Sequence, residues 1–190
     1  MVIEQSPSLL RRALQGLDLK LRENHRAPLK PLALDAMESL DIRAKAPFPG
    51  GALSNFAPNA FALDSVACAS MEGFLQSLKI ADPAEQRHVC TLVGPEAQSV
   101  GQRYAWGTTR TLWWRGEPID RLSDAYQTLL DRAYQALFEQ SKNFRDALEA
   151  SGSARLTHTL GRSDPCETIL TTEKFCSGLN GCAKPDNCDA

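Results

Sequence analysis

The segment Ser70–Lys79, SMEGFLQSLK, places three polar side chains on one helical stripe. At about 100° per residue, Gln76 lies about 40° from Glu72, and Lys79 about 20° from it on the other side. Phe74, Leu75 and Leu78 fall on a separate sector. A carboxylate there can do acid–base work. A desolvated amine can attack a carbonyl to form a Schiff base, or hold a phosphate or hydroxyl as a cation. Glu, Gln and Lys are also what a solvated helix face normally shows, so from periodicity alone a solvated face is the default reading.

A second group of chemistry-bearing residues lies upstream, in Gly50-Gly51-Ala52-Leu53-Ser54-Asn55-Phe56-Ala57-Pro58. Small residues such as Gly51 let backbone N–H groups approach a ligand, Asn55 offers a donor and an acceptor, and Phe56 could stack on a base. An Asx-type turn with a buried Phe accounts for the same residues. Trp106, Trp113 and Trp114 fall close together, and aromatic faces can sandwich a nucleobase or face a cationic sugar; core packing explains two of them equally well. Further on, Leu156–Pro165 gathers His158, Arg162 and Asp164 near a turn. His158 alone reads as structural, and Asp164 fits the start of the turn made by Pro165.

No cofactor or metal is expected. The glycine pattern is neither a dinucleotide fingerprint nor a P-loop. The six cysteines are Cys68, Cys90, Cys166, Cys176, Cys182 and Cys188. The last three are evenly spaced but lack the paired C-x₂₋₄-C ligands of a zinc site. The start of the chain has neither a basic leader nor an apolar run, and no apolar stretch is long enough to cross a bilayer. The expectation is therefore a cytoplasmic protein with reduced thiols and no membrane association. At 190 residues, with 43% hydrophobic and 23% charged residues, the composition suits one domain with a real core. A formal net charge of −2 gives no general cationic field for nucleic acid; a local pocket for one modified nucleotide remains compatible with it. Oligomeric state is not readable.

The elements that must carry these residues are mostly helices. A Ser6-capped helix with Pro7 at its start is expected to about residue 23, and a short one around Leu34 to Leu40 within a Pro-rich stretch ending at Gly50-Gly51. Residues 1–47 read as an N-terminal helical extension and Pro-rich linker. The main domain is expected over residues 48–176, and residues 177–190 as a flexible, Cys-containing tail. Within the domain, residues 60–64 suggest a short strand, Ser70 caps the Glu72–Lys79 helix, and Asp82-Pro83 starts a helix that closes at Gly94-Pro95. A third short helix runs to Gly101. Residues 111–118 suggest a hairpin. A long helix follows Ser123, and another spans about 142–150. The fold class is mainly α, α+β with minor β.

Taken in order, Leu53-Ser54-Asn55-Phe56, Ser70 through Lys79, Ala97-x-x-x-Gly101, Trp106, Phe144-Arg145-x-Ala147-Leu148 and Ala150-x-Gly152 resemble the NADAR, or YbiA-like, family across about residues 48 to 176. The resemblance implies a single compact, mainly helical domain and an N-glycosidase. Two substrate classes go with that family: ADP-ribose attached to guanine bases of nucleic acid, and phosphoribosylamino-pyrimidine intermediates of riboflavin synthesis. It implies that Glu72 and Lys79 are the paired acidic and basic positions of the central helix. It further implies that Asn55 and Phe56 belong to a substrate-contacting loop. Gly51, Ser54, Gln76, Trp106 and Trp114 complete the expected binding set, with Asp164 as a reserve carboxylate. The chain departs from the family where Pro165-Cys166-Glu167-Thr168 follows Asp164 in place of a Trp-Gly pair, which bears on one pocket wall and on the substrate. A module that binds ADP-ribose or a related nucleotide without catalysis is the alternative of another class.

Overall fold

The computed structural model describes residues 38–183. The helix expected between Ser6 and residue 23, most of the Pro-rich linker and Cys188 lie outside the described residues. Two short antiparallel hairpins form where both turn residues adopt positive φ, the mirror-image turn whose twist matches the strands it joins. Strands β2 (Phe61–Leu63) and β3 (Val66–Cys68) are closed by Asp64 and Ser65; β4 (Thr111–Trp114) and β5 (Glu117–Asp120) by Arg115 and Gly116. Asp64, of a residue type that visits positive φ more readily than most, has a φ of 49°, and its carboxylate accepts from Trp114 Nε1 at 2.8 Å and from Arg132.

Six helices are present among the described residues: α1 (Met71–Ser77), α2 (Pro83–Cys90), α3 (Gly94–Gly101), α4 (Asp124–Gln140), α5 (Lys142–Ala150) and α6 (Thr172–Ala183). Their starts follow capping chemistry. Ser70, Asp82, Ser123 and Ser141 each accept from a backbone N–H of the first turn they precede, and Pro stands inside the start of α2 and α3. The architecture is a small α+β domain with far more helix than strand, as the patterning indicates.

The seven residues of α1 are all buried, which is not the half-solvated helix that its polar stripe suggests. Phe74 packs edge-on against Phe61 of β2 and Trp114 of β4, while α2 and α3 cover other sides. Gln86 of α2 ties the ends together: its side-chain amide donates to the carbonyls of Ser77 and Trp113 and accepts from the Arg115 N–H at 2.8 Å. Helix α4 contributes Tyr126, Leu130, Ala133, Tyr134 and Leu137 to the core and is packed by β2, α5 and α6.

Three boundaries differ from expectation. Residues 39–41 form strand β1 (Ser39–Asp41), parallel to β6 (Arg155–Thr157), where the sequence suggests a helix; Leu40 and Ile42 sink into the core. The domain therefore takes in part of the stretch read as an extension ending at residue 47. A three-residue strand is too short to show periodicity, and its hydrogen bonds go to a partner distant in sequence. The second hairpin, β2–β3, is likewise closed by residues that carry no Asn-Gly or Asp-Gly signal. At the other end, α6 continues to Ala183, with Leu179 and Cys182 buried, so the tail expected to begin at residue 177 is helical over its first part. Its Gly and Asn residues lower propensity, and burial of one face overrides that.

Ile42, fully buried beyond the expected domain boundary, gives a direct test. Ile42→Ala is expected to destabilise the domain by about 2–5 kcal/mol, read as a lower urea midpoint with an unchanged slope. An unchanged midpoint would exclude residues 38–47 from the cooperative unit.

Candidate active site

A cleft of about 260 Å³ opens beside α1. Its floor includes Glu72, Leu75 and Gln76; one wall is Ser54, Asn55 and Phe56, and others come from Gln98 of α3 and from the 158–170 segment. Glu72 is 6% exposed and Gln76 7%. Both are buried polar groups, and each must find partners or lose stability.

They find each other. Gln76 Nε2 donates to Glu72 Oε1 at 2.7 Å, and Lys79 Nζ donates to Gln76 Oε1 at 2.6 Å. The direction of the amide is dictated by its neighbours. An ammonium can only donate, so Gln76 must turn its oxygen to Lys79, which leaves its NH₂ for the carboxylate. The stripe read from helical spacing is thus a continuous carboxylate–amide–ammonium chain. Burial raises the pKa of Glu72, opposed by the bond from Gln76 and the charge of Lys79. Burial lowers that of Lys79, opposed by the charge of Glu72. Gly101 makes room for the link. A Cβ at that position would overlap Gln76 Oε1 and lie 2.7 Å from the Gln76 Cβ, so α3 can approach α1 this closely only with glycine there.

The loop wall is tied to the same helix. The Asn55 carbonyl accepts from the Glu72 N–H at 2.9 Å, satisfying one of the unpaired donors of the first helical turn. Asn55 Oδ1 accepts from the buried Tyr134 hydroxyl at 3.3 Å, which leaves the Asn55 amide NH₂ as the group available to a ligand. Ser54 Oγ accepts from the Phe56 N–H at 3.3 Å. The far wall is held from behind. Buried Arg121 lies over the Tyr126 ring and donates through Nε to the Thr168 carbonyl at 3.1 Å, while the Tyr126 hydroxyl donates to the Ile169 carbonyl.

Of the residues expected from sequence, the structure brings Ser54, Asn55, Phe56, Glu72 and Gln76 into the cleft wall, with Lys79 half-buried behind Gln76. The others lie elsewhere. Trp114 is a core residue packed on Phe74 and bonded to Asp64. Trp106 is half-buried against the core and absent from the cleft wall. Gly51 lines a separate shallow groove with Ala46 and Phe48. Asp164 is exposed; its Oδ1 accepts from the Cys166 N–H at 2.8 Å, the turn geometry that Pro165 suggests, and it does not reach the cleft. In its place the same stretch supplies His158 and Arg162, with Leu160 74% exposed at the rim. The sequence signal for these was their grouping around Gly161; no periodicity points them at Glu72, because they follow β6 and meet α1 only in space. Among the described residues, no group of three or more His, Cys, Asp or Glu side chains is placed to hold a metal. None of the described helices is long and apolar enough to cross a membrane.

The burial of Glu72 sets a linkage. Its raised pKa means the folded state holds this proton more tightly than the unfolded chain, so an ionised Glu72 costs stability above its folded pKa and nothing below the unfolded one. Glu72→Gln keeps the shape and the acceptor for Gln76 without the charge. It should raise stability at neutral pH, and the gain should disappear on acidification through the carboxylate range, as measured by urea unfolding at several pH values. A variant less stable than the parent at pH 7 would contradict this.

Comparison with known proteins fits these features into a family. The match to the family model described as bacteriophage protein GP30.3 covers residues 47–183, which spans every residue of the cleft. The uncharacterized 17.1 kDa protein in the Gp30-rIII intergenic region of Enterobacteria phage T4 is 40% identical over 146 residues, 76% of this chain and 96% of that protein. Among solved structures, the NMR structure of the E. coli protein YbiA superposes with a TM-score of 0.53 at 17% identity, covering 78% of this chain and 85% of YbiA. At that identity the likeness is one of fold, and the fold is YbiA-like. By the extent of the family match and the identity to the phage T4 protein, this chain belongs to the bacteriophage GP30.3 protein family.

Proposed function

We infer that this protein is an N-glycosidase that hydrolyses a ribose C1′–N bond and that its substrate is ADP-ribose attached to guanine bases of nucleic acid. The observation that carries the reading is the buried Glu72–Gln76–Lys79 chain at the floor of a cleft. A buried carboxylate–amine set is a poor way to stabilise a fold; facing a cleft, it suits a reaction that builds charge. Breaking C1′–N leaves positive charge on the sugar and sends electrons to the base, so an anion near C1′ lowers the barrier. Glu72 takes that role and activates the attacking water. Asn55 and Phe56 hold the base and sugar by hydrogen bonding and stacking. The resemblance to NADAR proteins, independent of the cleft geometry, names the same helix as the catalytic one.

Lys79 stands behind Gln76 and outside the cleft wall, a placement that suits a positioning residue. It fixes the amide that in turn fixes and ionises Glu72, in preference to attacking C1′ of a ring-opened sugar. A second reading, hydrolysis of a phosphoribosylamino-pyrimidine intermediate, is favoured by the net charge of −2 and by the modest volume of the cleft.

The deciding experiment is chromatography of products after incubation with a guanine-ADP-ribosylated oligonucleotide. Release of ADP-ribose by the parent and not by Glu72→Gln supports the reading. No release leaves the pyrimidine riboside and a binding-only module. Since Glu72 must be ionised and its pKa is raised, the acid limb of kcat/KM should lie above the ordinary glutamate range. For Lys79, loss of a charge-assisted hydrogen bond in Lys79→Met should lower kcat about ten- to a hundredfold, and Lys79→Arg should retain most of it. Inactive Lys79→Arg together with a borohydride-trapped adduct would instead establish the Schiff base.

A further inference from the structure

Hydrolysis of an N-glycoside needs a proton for the departing nitrogen as well as an anion for the sugar, and Glu72 serves the second need. Asp164, the reserve carboxylate expected from sequence, is exposed and bonded within its own turn. We propose that His158 is the acid that protonates the leaving nitrogen. The proposal rests on the glycosidase reading and concerns the same cleft.

The case is geometric. His158 follows β6 and lines the cleft that Glu72 lines from α1. Its Nδ1 lies 2.7 Å from the Ile42 carbonyl. A carbonyl oxygen can only accept, so Nδ1 carries a hydrogen in either protonation state. The ring is gripped on its other sides. Phe175 meets it edge-to-face at 5.1 Å between centroids. The Gly161 backbone lies so close that a Cβ there would stand 2.6 Å from the imidazole Cδ2. The Nε2 end remains; it has no protein partner among the described residues and is open to solvent on this half-buried ring. One nitrogen is locked to a backbone carbonyl, the arrangement that fixes the tautomer of a catalytic imidazole, and the ring lines the Glu72 cleft as well as a groove formed with Thr172 and Cys176. Ile42 itself is fully buried just after β1, so the carbonyl that fixes the tautomer is part of the core.

The step balances as follows. The C1′–N bond breaks with its electron pair going to nitrogen, which takes the proton from His158 Nε2. Water bonds to C1′ and gives its proton to the Glu72 carboxylate. Exchange with solvent then returns the imidazole to its protonated form and Glu72 to its ionised form. No oxidant, metal or further reactant is needed.

His158→Asn tests this, because its side-chain NH₂ can replace Nδ1 toward Ile42 while nothing replaces Nε2. The full-length parent, His158→Asn and Glu72→Gln would be assayed on the guanine-ADP-ribosylated oligonucleotide and on 4-nitrophenyl ADP-ribose, whose nitrophenolate departs without a proton. Loss of about 10²–10⁴-fold in kcat/KM by His158→Asn on the first substrate, with a far smaller loss on the second, supports the assignment; Glu72→Gln should be impaired on both. Equal losses on the two substrates, or no loss on either, overturn it. If His158→Asn fails to fold by circular dichroism, His158→Ala with added imidazole replaces it. Rescue confined to the oligonucleotide supports the proposal, and no rescue in a folded variant overturns it. A parent protein that cleaves neither substrate overturns the ADP-ribosyl-guanine reading, and this proposal with it.

Discussion

The structure is organised around one electrostatic constraint: a carboxylate sits on a fully buried helix and has to be compensated there. Taken alone, a charge at the position of Glu72 would cost several kcal/mol. The chain of hydrogen bonds through Gln76 to Lys79 reduces that cost without cancelling it, as the raised pKa of Glu72 records. Because the amide has one donor end and one acceptor end, the arrangement is polar in one direction only. An alanine in place of Gln76 would leave the buried Glu72 and the half-buried Lys79 without a bridge. The positions of α1, α3 and the Asn55 loop follow from keeping this chain intact, since Gly101 admits Gln76 and the Asn55 carbonyl takes the first-turn N–H of Glu72.

A rigid apolar frame makes such a site affordable. Phe74 and Leu78 are fully buried, and the two hairpins press Phe61 and Trp114 against α1. The cleft walls are secured by backbone carbonyls: those of Asn55, Ile42, Thr168 and Ile169 each accept from a side chain or helix N–H that is itself anchored. Side chains facing the cleft can therefore differ among relatives while the walls keep their shape. That is consistent with a YbiA-like fold at only 17% identity, and with a phage family whose T4 member is much closer in sequence. In the proposed reaction, the same frame separates the roles. A buried acid tuned by its own helix faces the sugar, and an imidazole brought by a different element faces the base.

The local elements and the linear part of the site are legible along the chain. Capping residues at Ser70, Asp82, Ser123 and Ser141 set helix starts, because a cap needs only a side chain and the three residues after it. Helical spacing aligned Glu72, Gln76 and Lys79, since residues three, four and seven apart share a face whatever surrounds them. Which way that face looks depends on packing. Periodicity favoured solvent, and burial by hairpins and two helices turned the stripe inward, changing its electrostatics entirely. Pairing of β1 with β6 likewise drew residues 39–41 out of a Pro-rich stretch and placed the Ile42 carbonyl where it orients His158. Trp106, Trp114 and Asp164 carry suitable chemistry but meet the core or a turn, while His158 and Arg162 reach the cleft. Contacts between residues so far apart in the chain leave no local pattern, because they depend on which surfaces pack together and not on any spacing along the backbone.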